Sequence, residues 1–370
     1  MENGKVALVH DWLTGQRGGE RVLEVFAEVF PQAPIFTLFH FPGTQREDIE
    51  KRTIITSFLQ GWPFLKKRYR FYLPLFPLAA ELLDVQAYDM VISSSHCAAK
   101  GVIPRPDSLH ICYVHSPMRY AWNQYFPYFS SEKLNCFSRI IIPPIIHQLR
   151  LWDESSSHRV DHFVANSKNV ARRIHRYYRR QADVIHPPVD AKFFLPGREE
   201  ENYYLIVSAL VPYKRIDLAI QAFNRTGEAL RVVGQGPDYK KLRKMAKANV
   251  EFLGSLYEND LLQLYQKAKA LILAGEEDFG ITSLESQACG VPVIAYGRGG
   301  AAETVIPDET GLFFSELSVD SLLEVLDKFR GFEFNKTKIR ENALNFSRDK
   351  FKQKIAAYFK QRWTEYKNKS

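Results

Sequence analysis

The chain has 370 residues, 45% of them hydrophobic and 25% charged, with a formal net charge of +8. That length exceeds one ordinary core and predicts two domains of roughly 150 to 200 residues each. No low-complexity run and no repeat of fixed period occurs, which excludes disordered, collagen-like and solenoid classes. The start, MENGKVALVHDW, has a glutamate at position 2 and only a short apolar run before His10, so no secretory leader is expected. The longest apolar stretches, 71–83 and 140–146, are broken by Pro74 and Pro77 and by Pro143 and Pro144. They fall short of the ~20 residues of a membrane-spanning helix. Cys97, Cys112, Cys136 and Cys289 lie far apart without metal-ligand spacing, which predicts reduced, cytosolic thiols and no zinc site.

Taken in chain order, strand-like runs recur with helical stretches between them. KVALVHDW, YDMVISS, HICYVHS, HFVANS and DVIHPP occupy the first half; YYLIVSAL, LRVVGQG, VEFLGS, ALILAG, PVIAYG and GLFF occupy the second. Continuous Val/Ile/Leu runs alternating with amphipathic helices predict parallel sheets covered on both faces, so each half reads as a doubly wound α/β domain. The proline- and charge-rich stretch 186–204 reads as the linker, giving domains 1–187 and 188–345. A terminal segment, 346–370, carries Phe346, Phe351, Ile355, Ala356, Phe359 and Trp363 at helical spacing. In open α/β sheets ligands bind beyond the carboxyl ends of strands, so candidate residues are sought there.

After the first strand, HDWLTGQRGGERVLEVF supplies Gly18 and Gly19 just before a helix. A Gly-Gly turn alone is usually structural, and no G-x-G-x-x-G follows a strand, which disfavours a dinucleotide-dependent dehydrogenase. Residues 51–186 hold 19 basic and 9 acidic side chains, a surplus of +10. Within them, FLQGWPFLKKRYRFYLPLFPLAA (58–80) and ARRIHRYYRR (171–180) interleave Lys and Arg with aromatic rings. Such mixtures suit an anionic lipid surface or nucleic acid, and equally a solvated helix face over core aromatics. His115 ends the strand in YVHSPMRYAW, where a hydrogen-bonded structural histidine is the plain alternative to a functional one. Ser167 precedes a helix and reads as a cap or a contact.

In the second half, VSALVPYKRIDLAIQAF contains Lys214 and Arg215, which on the dipeptide alone form a solvated pair. VVGQGPDYKKL contains Gly234 and Gly236. GEEDFGITSLESQACGVPVIA (275–295) reads as loop, helix and strand, the helix entered at Thr282. Thr282-Ser283-Leu284-Glu285 fits a capping box, which is one use for Glu285. Glu277 precedes Gly280 and lies outside the helix. The glycine allows the loop to fold Glu277 over the helix start, where unpaired amides and the positive dipole end attract anions. GRGGAAETV, with Glu303, reads as mainly structural.

This last stretch resembles the E-x7-E signature of the retaining glycosyltransferases of family 4. Glu277, Phe279, Gly280, Leu284, Glu285, Ala288, Cys289, Gly290, Pro292 and Val293 fall in register with it, and the resemblance covers nearly the whole chain. It implies the GT-B fold, two facing Rossmann-like domains with a C-terminal helix packing back on the first. It implies further that Glu285 holds the ribose of a nucleotide sugar and that Glu277 lies near hydroxyls of the transferred sugar. The amides of Gly280, Ile281 and Thr282 are expected at the diphosphate, with Phe279 part of the same signature. Lys214 matches the family's lysine that neutralises the diphosphate, whereas its arginine position holds Ala209; Arg215 is the candidate substitute. Gly18 and Gly19 match a pair facing donor phosphate and acceptor, His115 a histidine near the sugar's 6-position, and Gly234 and Gly236 a loop beside the base.

The pieces VHDWLTGQRGGERVLE, VHSPMRYAW and VPYKRIDLAIQAF most resemble mannosyltransferases of bacterial surface polysaccharide synthesis, which makes GDP-mannose the first donor to try. The implied activity is retaining hexose transfer to a glycan or lipid-linked acceptor, without metal or other cofactor, by front-face displacement or through a covalent intermediate. No D-x-D occurs, in keeping with a metal-free site. Members that act at membranes suggest a peripheral protein of the cytoplasmic face, contacting anionic lipid through Lys66, Lys67, Arg68 and Arg70, with no nucleic-acid partner. Two alternatives stand beside this: a nucleotide-sugar epimerase of the same architecture, and a non-catalytic partner subunit that binds nucleotide sugar.

Overall fold

A computed structural model describes residues 4–129 and 136–368. The first three residues and the side chain of Cys136 lie outside the described set. The chain divides into two units, Met1–Pro187 together with Phe351–Ser370, and Pro188–Lys350.

The first unit is built on seven parallel strands: β1 (Val6–His10), β2 (Ile35–Thr37), β3 (Ile54–Thr56), β4 (Met90–Ser95), β5 (Leu109–Val114), β6 (His162–Ala165) and β7 (Ala182–Val184). Their order is β3-β2-β1-β4-β5-β6-β7. Every residue of β4 and β5 is buried, as helices on both faces of a parallel sheet require. The chain moves outward from β1 to β3 and then returns to lay β4 along β1, with Leu8 opposite Ile92. The crossover loops therefore diverge between β1 and β4, the topological switch point at which such sheets bind ligands.

The second unit repeats the plan with six parallel strands: β8 (Tyr204–Val207), β9 (Leu230–Val233), β10 (Val250–Gly254), β11 (Ala270–Leu273), β12 (Val293–Tyr296) and β13 (Gly311–Phe314). The order β10-β9-β8-β11-β12-β13 puts its switch point between β8 and β11. All eleven strand-like runs of the sequence are strands. The two it did not mark, β2 and β3, have three residues each, too few for periodicity to register.

The terminal helix Arg348–Lys367 buries Phe351, Ile355, Phe359 and Trp363 in the core of the first unit, beside Phe26 and Tyr113. Their spacing of four keeps them on one stripe, and the Phe359 ring meets Phe26 edge-on at 5.3 Å. Phe346 departs from that pattern: it precedes the helix and packs against Phe279 in the second unit, ring centroids 6.1 Å apart. Among the described residues, no helix is long and apolar enough to cross a membrane.

Candidate functional site

At the second unit's switch point, the loop after β8 carries Ala209, Lys214 and Arg215, and the loop after β11 carries Glu277. Lys214 Nζ forms an ion pair with the Glu277 carboxylate, both side chains being only 14% and 11% exposed. Arg215 adopts a left-handed conformation at φ 50° and its Nε lies 3.2 Å from Asp217 Oδ1. Ala209 is exposed. So the two neighbouring cations are directed to different carboxylates, and Lys214 is the one brought to Glu277.

The helix begins at Ile281, with Gly280 as its N-cap at φ 84°, ψ 58°, a conformation that favours glycine. The expected cap at Thr282 and its capping box do not form. Thr282 already lies inside the first turn, Ser283 Oγ donates to the Gly280 carbonyl at 2.7 Å, and the Glu285 carboxylate accepts from the Tyr265 hydroxyl at 2.9 Å. Gly280, as the N-cap, has no side chain with which to accept from the first-turn amides. Glu277 is folded over it: a Cβ on Gly280 would lie 3.4 Å from the Glu277 side chain. The Glu277 carbonyl accepts from the Gly300 amide at 2.8 Å, so the Gly299-Gly300 turn fixes the loop from behind.

Phe279 is buried in the apolar cluster around Leu284 and Cys289, so its ring packs the core and only its backbone faces the loop. Ile281 and Thr282 are half-buried at the first turn. Gly234 and Gly236 are explained by close approach: a Cβ at either would come within 1.9 Å of the Ser208 carbonyl oxygen or 2.2 Å of that of Leu210. They press the β9 loop onto the β8 loop. Tyr265 was not singled out from sequence, although a tyrosine buried among apolar neighbours must direct its hydroxyl to a partner.

The first unit's switch point is made of different groups. His115 Nε2 and His10 Nδ1 meet the same hydroxyl, Ser94 Oγ, at 2.8 and 3.1 Å. Burial pulls His10 down to about 4, against the opposing charge of Asp11, and pulls His115 well below the ordinary imidazole value. Both rings are therefore neutral near pH 7. Gly18 and Gly19 are the first residues of the helix Gly18–Val29, not residues before it, and Glu20 accepts from the Arg17 amide at 3.1 Å. A Cβ on Gly19 would sit 3.4 Å from His10 and 3.5 Å from His115 Nε2. His10, Asp11, Ser94 and His96, all at strand ends, were not marked from sequence, although strand ends are where ligand groups were sought.

Elsewhere in this unit Lys66, Lys67, Arg68 and Arg70 are exposed. Phe64 and Phe71 among them are 71% and 79% exposed, and Phe64 is held at a left-handed φ of 58°. In 171–180, by contrast, Tyr178 is buried against Asp153 and Tyr177 stacks on Trp122, so half of that stretch is structural. Cys97, Cys112 and Cys289 are buried free thiols.

Two doubly wound parallel-sheet units, each with polar groups gathered at its switch point, define the GT-B class. The family model of glycosyltransferase family 4 matches residues 17–193, and that of the group 1 glycosyl transferases matches residues 190–345. The chain belongs to the family 4 glycosyltransferases of GT-B fold. Among its relatives is a GDP-mannose-dependent monoacylated α-(1-6)-phosphatidylinositol monomannoside mannosyltransferase of Corynebacterium glutamicum, 39% identical over 32% of this chain and 35% of that protein. Sucrose-phosphate synthase from Thermosynechococcus elongatus shares the fold with a TM-score of 0.75 at 16% identity, covering 98% of this chain and all of that one. Anabaena HepE, solved in complex with UDP and glucose, does so with a TM-score of 0.70 at 16% identity, over 97% of this chain and all of that one. Aligned regions span about half or less of the curated relatives, 55%, 35% and 48% of the first three.

Proposed function

We propose that this chain is a retaining, metal-independent hexosyltransferase that takes a nucleotide diphosphate sugar, GDP-mannose first among candidates, and glycosylates a glycan or lipid-linked acceptor. The observation that carries the reading is the Lys214–Glu277 pair, folded over a helix start whose N-cap is a glycine, with Glu285 fixed by Tyr265 inside the same helix. An ammonium group and helix-end amides are what a departing diphosphate needs, and such preorganised stabilisation is commonly the largest catalytic contribution. Glu285 receives the ribose hydroxyls, and Glu277 receives hydroxyls of the sugar once the diphosphate draws Lys214 away. As the bond from C1 to the phosphate oxygen breaks, its electron pair leaves with the diphosphate. The acceptor oxygen bonds to C1 on the same face, and the acceptor's proton passes to the departing phosphate.

The mannosyl donor draws its support from the Corynebacterium relative's name and from the segments that resemble polysaccharide mannosyltransferases; UDP sugars are the rivals, given HepE. Exposed Phe64 and Phe71 interleaved with Lys66, Lys67, Arg68 and Arg70 favour a peripheral contact with an anionic membrane face. The test is transfer from GDP-mannose to an alkyl mannoside in EDTA, with the anomeric configuration of the product read by NMR. An α product from the α donor is expected, and an inverted product or a requirement for added metal contradicts the reading.

A second reading, binding without turnover, is favoured by one observation: Ala209 stands where the family has arginine, and the neighbouring Arg215 is directed to Asp217. Nucleotide-sugar binding without transfer or hydrolysis, with turnover restored by Ala209→Arg, would establish it.

A further inference from the structure

The His10–Ser94–His115 arrangement leaves a third histidine of the same switch point, His96, without a task. We infer that the first unit receives the acceptor, and that His96, held by Asp11, accepts a hydrogen bond from an acceptor hydroxyl; the inference rests on the transferase reading above.

Asp11 is fully buried and its carboxylate is saturated from one side. Oδ2 accepts from the amides of His96 and Cys97 at 2.6 and 3.0 Å, and Oδ1 from those of Ala98 and Ala99 at 2.6 and 2.7 Å. His96 Nδ1 lies 2.9 Å from the same Oδ2. A carboxylate in such a nest stays ionised: burial raises its proton affinity, but the His96 ring and the converging donors outweigh it and hold the group well below the usual range. An ionised carboxylate only accepts, so Nδ1 of the imidazole carries hydrogen. In the neutral ring, Nε2 then presents a lone pair.

The ring is also fixed in direction. Trp12 packs against it edge-on at 4.5 Å, with planes 83° apart. While Asp11 is wholly covered, the His96 side chain is 33% exposed. Its centroid is 6.2 Å from that of His10 and 6.4 Å from that of His115, and Gly19 leaves the neighbouring helix start bare. His10 Nε2, buried, has no hydrogen-bond partner. A buried polar atom of that kind asks for a polar ligand or an ordered water, not an apolar one.

The class of ligand follows from the lone pair. A phosphate offers only acceptor oxygens and would face both Nε2 and the Asp11 charge behind it, so a phosphate is disfavoured; a sugar hydroxyl donates. His96 thus binds and aims the acceptor oxygen, while the proton leaves with the departing phosphate as above.

His96→Phe tests this, because a phenyl ring keeps the contact with Trp12 and leaves the four amides on Asp11 in place. With GDP-mannose and octyl α-mannoside, the variant is expected to lower the melting temperature by a few degrees, to stay folded at the assay temperature and to keep its donor Kd. Its kcat/KM for the mannoside is expected to fall at least about tenfold, the scale of one lost hydrogen bond to a positioned group. Donor affinity falling by the same factor, or unchanged kinetics, overturns the inference. A second measurement needs no turnover: 15N NMR of the histidine rings in the full chain, titrated with octyl α-mannoside. A saturable shift at His96 Nε2 supports the site even if no transfer is ever seen, in which case only the reading of turnover falls. No shift overturns it.

Discussion

The two units solve the same topological problem with opposite chemistry. In both, the loops diverge beside the first strand of the unit, between β1 and β4 and between β8 and β11, and in both the polar groups collect there. The second unit places an ammonium against a carboxylate at its switch point, Lys214 with Glu277. The first places three imidazoles there, two of them neutral, around a single buried carboxylate. All ten histidines lie within residues 10–186, and none lies in 188–350. Strand order supplies a place to bind, and the residues at the strand ends decide whether it is suited to anions or to hydroxyl groups. Charge suits a diphosphate, whereas neutral imidazoles, each with one donor and one acceptor nitrogen, suit hydroxyl groups.

The sharpest way to break the comparison is Asp11→Ala. It strips the shared acceptor from four amides and from His96, and each buried donor left without a partner commonly costs about 1–3 kcal/mol. Urea unfolding followed by tryptophan fluorescence should show the first unit melting early while the second is little changed; equal loss in both would contradict the separation. Next comes Lys214→Ala, expected to lower kcat by about 10² to 10³ by analogy with the loss of one preorganised donor. Steady-state kinetics with GDP-mannose measures it, and the melting temperature should hardly move.

Acid should separate the units as well. An unfolded histidine gains its proton near pH 6.5, whereas His10 and His110, both lowered by burial, gain theirs only at about 4. Between those values the unfolded chain holds more protons, so stability present at pH 7 is lost as pH falls from about 6.5 toward 4, by about 3 kcal/mol for each group. Asp11 remains charged throughout, and Glu20, raised by burial, partly offsets the loss. Urea midpoints at pH 7, 5.5 and 4.5 should fall for the histidine-bearing unit alone. The smallest effect expected is at the surface: replacing Lys66, Lys67, Arg68 and Arg70 by Gln should reduce co-sedimentation with anionic liposomes about tenfold and leave neutral liposomes unaffected. Unchanged sedimentation would remove the membrane contact.

Much of this was legible in the residues because the deciding features are local. Buried parallel strands read as unbroken apolar runs, the Ser167 cap is real, with its hydroxyl 3.0 Å from the Val170 amide, and the stripe from Phe351 to Trp363 repeats every fourth residue. The Thr282 capping box failed because two uses of one pattern compete: the start at Gly280 puts Thr282 in the first turn, and Tyr265, 20 residues upstream, draws Glu285 instead. Asp11 and His96 were passed over because their partnership joins positions 85 apart and exists only once β1 and β4 pair. Gly234 and Gly236 were visible as glycines, but the carbonyls that require them belong to another strand's loop.

The central claim, that the second unit grips a nucleotide diphosphate sugar through charge and without metal, is tested most directly by calorimetric titration. GDP-mannose, UDP-glucose, UDP-galactose and UDP-N-acetylglucosamine would be titrated in EDTA into the wild type and Glu285→Ala. One donor is expected to bind the wild type and to lose most of its affinity in the variant. Binding of none of them, or binding that survives the loss of Glu285, would contradict the claim.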